Sequence, residues 1–188
     1  MKRDDGTSET DAHAIVNMLN EFFVNIASNL QTDTTPTEMD TIRLEDFVSS
    51  SLNNCITQFN IPAISVQDTQ RMIDQLSIGK ATGPDDVSVR LLKIIAPVFC
   101  EPLTQLFNLS IVKGRFPSKW KVARVTPLHK DGVRDCRDNY RPISVLSVLS
   151  KLLEKHVASH LMNYMVQNNL LYKLQSAFRD NHSTESAL

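Results

Sequence analysis

Trp120-Lys121-Val122-Ala123-Arg124-Val125-Thr126-Pro127-Leu128-His129-Lys130, a polar loop from Asp131 to Asn139, and then Tyr140-Arg141-Pro142-Ile143-Ser144-Val145-Leu146 form the stretch that decides the architecture. Apolar and β-branched residues on either side of a loop rich in Asp, Asn and Gly read as two strands. The spacing predicts an antiparallel ribbon, with Lys130 near the end of one strand and Arg141 near the start of the next. Two cations across such a turn can grip an anion from two sides. Arg supplies a planar fork and Lys a mobile point charge. Solvated strand ends fit the same placement, so the residues alone leave both readings open.

Helical periodicity flanks the ribbon. Before it, Ala14, Ile15, Met18, Leu19, Phe22, Phe23 and Ile26 predict an amphipathic helix over about residues 11–30, after a polar, frayed start. Residues 31–40 read as a linker, and 41–63 are ambiguous between states. Ser65, with Asp68 three residues on, predicts a capped helix carrying Met72, Ile73 and Leu76. Lys80-Ala81-Thr82-Gly83-Pro84-Asp85-Asp86 is a breaker-rich loop from which Asp85 or Asp86 is expected to cap the next helix. Pro97 and Pro102 are expected to interrupt that helix, and Gly114 to end the stretch containing Leu103, Leu106, Phe107 and Ile111. After the ribbon, Val148, Leu152, Leu153, Val157, Leu161, Tyr164 and Met165 predict a helix over 147–168. Helices followed by a two-stranded ribbon and a further helix make an α+β class.

Composition narrows the function classes. The 41% hydrophobic content is enough to bury a core and excludes a disordered chain. No run of about 18 apolar residues stands out, so no membrane span is expected. The cysteines Cys55, Cys100 and Cys136 are odd in number and scattered, which suits a reducing compartment and an intracellular location, nucleus or cytoplasm unresolved. The net charge of −1 conceals a strong asymmetry. Residues 1–74 carry 4 basic and 12 acidic side chains, while residues 113–155 carry 11 basic and 4 acidic. The basic segment can attract phosphate, although charge clusters of this kind are also common on solvated faces.

Several sites of familiar chemistry fail on spacing. Gly79-Lys80 with Gly83 lacks the gap and the Ser or Thr of a phosphate-cradling loop. Asp131, Asp135 and Asp138 do not alternate as a calcium loop requires, and Arg134 and Arg137 compete for them. His156 and His160 share a helix face but lack a third ligand nearby in sequence.

Read in order, the blocks resemble one family, the reverse transcriptases of non-LTR (LINE-type) retrotransposons. Lys80-Ala81-Thr82-Gly83-Pro84-Asp85 resembles its K-x-x-G-P-D block. Leu106-Phe107-Asn108, Gly114-x-Phe116-Pro117 and Trp120-Lys121 follow in family order, then Pro127-Leu128-His129-Lys130-Asp131-Gly132. Asn139-Tyr140-Arg141-Pro142-Ile143-Ser144 is similar to N-Y-R-P-I-S, and Lys151 with Glu154 to K-x-x-E. Gln175-Ser176-Ala177-Phe178-Arg179 and Ser183-Thr184-x-x-Ala187-Leu188 resemble the next block, with Ala177 where the family usually has Gly.

The resemblance implies the mostly helical fingers of a right-hand polymerase with its two-stranded ribbon. Residues 1–63 would be an N-terminal extension and 64–188 a partial reverse transcriptase domain. It implies nucleotide-binding roles for Lys130 and Arg141, and template-binding roles for Gln175, Phe178 and Arg179. Implied partners are an RNA template, a DNA primer, a deoxynucleoside triphosphate and the palm and thumb of the parent polymerase, with no membrane. Mg2+ is implied for the complete enzyme, with its ligands outside this chain, because no Asp-Asp here fits the family's metal-binding blocks. No catalytic residue or metal ligand is therefore expected within it, and the chain alone is expected not to polymerise DNA. Two other readings compete: a catalytically dead nucleic-acid-binding remnant, and a helical interaction domain without a nucleic-acid role.

Overall fold

A computed structural model describes residues 1–26, 28, 46, 49, 58–171, 175–177, 179 and 182–183. Four α-helices and one two-stranded sheet appear among them: α1 (Ala12–Asn25), α2 (Val66–Asp74), α3 (Val89–Lys113), β1 (Arg124–His129), β2 (Tyr140–Val145) and α4 (Val148–Gln167). The α+β class holds. The chain divides into two compact units. One comprises Met1–Thr34 with Ile64–Leu152, the other Thr35–Ala63 with Leu153–Leu188.

The core of the first unit is built on α3. Its buried face carries Val89, Leu92, Ala96, Cys100, Leu103, Thr104 and Phe107. Helix α2 lies along it, started by the expected capping box: the Ser65 hydroxyl accepts from the Asp68 amide, and the Asp68 carboxylate reaches back to the Ser65 amide. Polar clasps fix the register of the two helices. The Thr69 and Thr104 hydroxyls lie 2.6 Å apart in a buried contact, and Lys93 Nζ donates to the Asp74 carbonyl at 2.7 Å. The Asn108 side chain accepts from the Ile64 amide at 2.8 Å and donates to its carbonyl at 2.9 Å. Trp120 closes the core edge-on to Phe107 and Phe116, with ring centroids 5.8 and 5.9 Å away.

Four expectations need correction. The cap of α3 is Ser88, whose hydroxyl accepts from the Leu91 amide, and neither Asp85 nor Asp86 takes that role. The helix does not stop at Pro97 or Pro102. Both prolines sit on exposed positions while the buried face continues on either side, so tertiary packing outweighs the lost backbone bonds. Trp120 belongs to a 3₁₀ turn (Ser118–Lys121), and the first strand begins only at Arg124. The start of the chain is tied down: the Lys2 amide donates to the Asp135 carbonyl at 2.7 Å, and Lys2 bridges to Ser8.

By length and composition alone α3 could cross a membrane, contrary to the expectation that no segment would. It is nonetheless the core helix of its unit, with one face packed on α2. The other face exposes Leu91, Ile94, Val98, Leu106, Leu109 and Val112 at helical spacing, an uncovered apolar stripe.

In the second unit, Phe59 packs on Tyr164 with ring centroids 5.3 Å apart. His156 Nε2 lies 3.0 Å from the Pro62 carbonyl oxygen, and its ring meets that of His160 edge-on at 4.5 Å. His156 is thus held by a backbone oxygen. Phe178 and most of the ambiguous 41–63 stretch lie outside the described residues.

Phe107 is fully buried, so Phe107→Ala should lower the unfolding free energy by about 3–5 kcal/mol in a denaturant titration. Val98 is 80% exposed, and Val98→Ala should stay within about 0.5 kcal/mol. A pH effect is expected at the tied-down start. Amides of Asp11 and Thr10 and the Arg3 guanidinium hold the Glu9 carboxylate down to about 2 from 4.5. A folded-state pKa below the unfolded one stabilises above pH 4.5, and that stabilisation is lost as pH falls through about 2. An NMR titration of the Glu9 carboxyl carbon should show a midpoint near 2, and a midpoint near 4.5 would refute this.

Candidate functional site

The ribbon pairs Arg124 with Val145, Thr126 with Ile143, Leu128 with Arg141 and His129 with Tyr140. One further backbone bond, from the Lys130 amide to the Asn139 carbonyl at 2.8 Å, carries the ladder a step past the strands. Residues opposite each other in an antiparallel ladder share a face, and alternate residues along a strand do too. Lys130, opposite Asn139, and Arg141, opposite Leu128, therefore lie on the same face as diagonal neighbours. Such neighbours are about 7–8 Å apart. The two cations that the sequence singled out are brought together.

The other face of the ribbon looks toward α1. Val125 and Pro127 line a cavity of about 300 Å³ with Val16, Leu19, Asn20 and Phe23 of α1. His129 and Tyr140 stack edge-on there, 5.3 Å between centroids. On the Lys130–Arg141 face Leu128, Lys130, Arg141 and Ile143 are all exposed.

Charge is distributed unequally between the two sides. Arg137 is consumed on the α1 side, bonded to Asp4 at 2.6 Å and standing 5.2 Å over the Phe22 ring. Lys2 pairs with Asp135 at 3.3 Å. On the open face, Lys130 has only its neighbour Asp131 as an ion-pair partner among the described residues, at 3.9 Å, a contact worth about 0–1 kcal/mol. Arg141 has no ion pair among the described residues. Two like charges at the diagonal spacing repel by about 0.5 kcal/mol in a watery dielectric. An anion between them would reverse the sign of that interaction.

The loop joining the cations is shaped by Gly132, Asn139 and Tyr140, which the sequence places in motifs without a structural role. Gly132 takes a φ of +74°, and a Cβ there would lie 2.6 Å from Asn139 Nδ2. That Asn139 amide donates to the Val133 carbonyl at 2.9 Å, and the Tyr140 hydroxyl donates to the Arg134 carbonyl at 2.8 Å. The Asp-Gly pair at 131–132 was the available signal, being a turn dipeptide beside a strand.

The remaining candidates are placed as follows. Gln175 and Arg179 belong to the second unit, where Gln175 Nε2 donates to the Ala177 carbonyl at 3.1 Å and Arg179 Nη1 to the Gln175 carbonyl at 3.3 Å. Their partners are local backbone. Phe178 lies outside the described residues. The described residues contain no group of three or more His, Cys, Asp or Glu side chains suited to a metal ion, so they do not fit the two-metal centre of nucleotidyl transfer.

Comparison with known proteins places this geometry in context. No family model matches the chain. It is 34% identical over 125 residues to the RNA-directed DNA polymerase of transposon BS from Drosophila melanogaster, a match covering 66% of this chain and 14% of that protein. It is 29% identical over 134 residues to the RNA-directed DNA polymerase of the mobile element jockey from the same species, covering 70% and 15%. A third, the polymerase of the X-element, matches over 170 residues at 26% identity, covering 89% of this chain. The chain belongs to the non-LTR retrotransposon reverse transcriptase family. This reverse transcriptase segment spans roughly a seventh of the length of the first two relatives.

Gly132→Ala forces an L side chain into the left-handed region against Asn139, at a cost of about 1–2 kcal/mol. Hydrogen exchange of the Lys130 amide should accelerate about tenfold in that variant, and unchanged exchange would show that Gly132 does not hold the loop.

Proposed function

We propose that this chain is the fingers part of an RNA-directed DNA polymerase and that its ribbon grips the triphosphate of the incoming deoxynucleotide. The single observation behind this is the pair Lys130 and Arg141, diagonal neighbours on an exposed face, with no carboxylate bridging them among the described residues. The guanidinium can bind two phosphate oxygens at once while the ammonium follows a third. The relatives supply the reaction class, since the matching proteins are RNA-directed DNA polymerases.

In this reading residues 64–188 are polymerase sequence and 1–63 an extension of it, and Gln175, Phe178 and Arg179 contact the template. The metal-dependent step of nucleotidyl transfer is assigned no residue here. Its divalent ions supply the activated primer hydroxyl and the neutralised phosphoryl charge when bound elsewhere in the polymerase. The uncovered stripe on α3 fits a segment that packs against further polymerase sequence, the palm and thumb.

Titration of the chain with dATP tests the grip. Lys130→Ala and Arg141→Ala should each weaken binding about tenfold or more, as loss of a charge-assisted bond does, while Lys119→Ala, a cation outside the ribbon, should leave it unchanged. Equal affinity in the Lys130→Ala/Arg141→Ala double variant and the wild type would refute the assignment. Binding of mixed-sequence RNA that falls steeply with salt, without dATP binding, would favour the nucleic-acid-binding remnant instead.

A further inference from the structure

We infer that the loop from Gly83 to Asp86 is a positioning element that sets the direction in which the ribbon points, and with it the place of Lys130 and Arg141. This rests on the nucleotide-grip reading and adds the device that aims the grip.

The loop touches the ribbon at both of its roots. At the end of β2, Gly83 lies against backbone. A Cβ on it would come within 2.6 Å of the Ser147 nitrogen and 2.7 and 2.8 Å of the Leu146 carbonyl carbon and oxygen. Those atoms belong to the main chain leading into α4 and cannot swing aside as a side chain would. Next to that contact the Ser147 hydroxyl donates to the Asp85 carboxylate and accepts from the Leu149 amide at 3.2 Å. Ser147 is only 2% exposed. The same hydroxyl therefore joins the loop, the end of β2 and the start of α4.

At the start of β1, Arg124 Nη2 donates to the Asp86 carboxylate at 3.1 Å. Asp86 reaches it from a left-handed backbone conformation with φ 53°, in a turn closed by its own amide donating to the Gly83 carbonyl at 3.2 Å. Arg124 pairs with Val145 in the ladder, so the loop touches β1 at its first rung and the β2 chain one and two residues beyond that rung.

The cations sit at the opposite end. Six residues separate Arg124 from Lys130, about 20 Å of extended chain. A tilt of about 5° at the root would thus move the tip by roughly 2 Å, given that length. Displacements of about 1 Å can cost a hundredfold in rate where groups must meet a reacting substrate. Direct ion pairing of the loop to substrate is not required for this role, because its bonds to Ser147 and Arg124 lie at the roots and not at the tip.

Pulsed electron-spin distance measurement on the 188-residue chain reads the orientation directly. Nitroxides are attached at Val133→Cys in the ribbon loop and Val98→Cys on α3, both highly exposed, with Cys55 and Cys136 changed to Ser and the buried Cys100 left in place. Gly83→Ala and Asp85→Ala should shift the mean distance by about 2 Å or broaden the distribution, and Asp85→Asn, which keeps an acceptor for Ser147, should restore it. Binding of inorganic tripolyphosphate should weaken at least fivefold in the first two variants and recover in the third. Should Gly83→Ala fail to fold, Arg124→Ala, an exposed change that removes the partner of Asp86, provides the same comparison. An unaltered distribution in Asp85→Ala and in whichever of the other two folds would overturn the inference. If the distribution shifts while the wild type binds no tripolyphosphate, the anchor stands and the nucleotide grip falls.

Discussion

The register of one short antiparallel ladder governs whether this chain has a site at all. Lys130 and Arg141 share a face only because Leu128 pairs with Arg141 and Lys130 with Asn139. A slip of one residue would send one cation toward α1 and leave the other in solvent, since side chains alternate with a period of two. Hydrophobic patterning is a weak guard here, because both strands are largely exposed and a two-stranded ribbon is marginal by itself. The register is held at its ends. The loop packs Gly132 on the Asn139 amide, and the roots are fastened to Asp85, Asp86 and Gly83. α1 lies beside the opposite face, where it lines a cavity together with Val125 and Pro127.

The rigidity of those roots derives in turn from α3. A 25-residue helix with Pro97 and Pro102 inside it looks locally inconsistent. Each proline removes one backbone bond and crowds the preceding turn. Continuity is supplied from outside: α2 is clasped along α3 through Thr69–Thr104, Asn108–Ile64 and Lys93–Asp74, and Trp120 plugs the far end against Phe107. These are long-range contacts, so local propensity could not register them.

That contrast explains what was legible in the sequence. Features encoded within a few residues were readable: the Ser65–Asp68 capping box, the end of α3 at Gly114, and the two strands with Lys130 and Arg141 at their facing ends. Features decided by partners far along the chain were not. Asp85 and Asp86 have the composition of helix caps, yet their carboxylates are drawn to Ser147 and Arg124, 62 and 38 residues away, and Ser88 caps α3 in their place. The polar first residues looked frayed because nothing near them is apolar, but their bonds run to Asp135 and Arg137. Within the candidate site the charged pair was visible and its scaffold was not, since Asn139 and Gly132 act through shape and one amide hydrogen bond.

The net charge of −1 takes on a different meaning once the pairs are located. An acidic front segment and a basic ribbon segment could have neutralised each other throughout, leaving no site for an anion. Among the described residues they do so at one ion pair, Asp4 with Arg137. Asp4 and Lys2 reach the loop residues Arg137 and Asp135 on the side where α1 lies, and Asp86 meets Arg124 at the root. None of these carboxylates reaches the diagonal pair at the tip. Among the described residues Lys130 and Arg141 thus meet no carboxylate other than Asp131. A cation pair left in water relaxes by turning its side chains apart, at little cost for long flexible stems. What keeps Lys130 and Arg141 available to a single anion is consequently the backbone beneath them, and the strength of any grip depends on how firmly that backbone is held at its base.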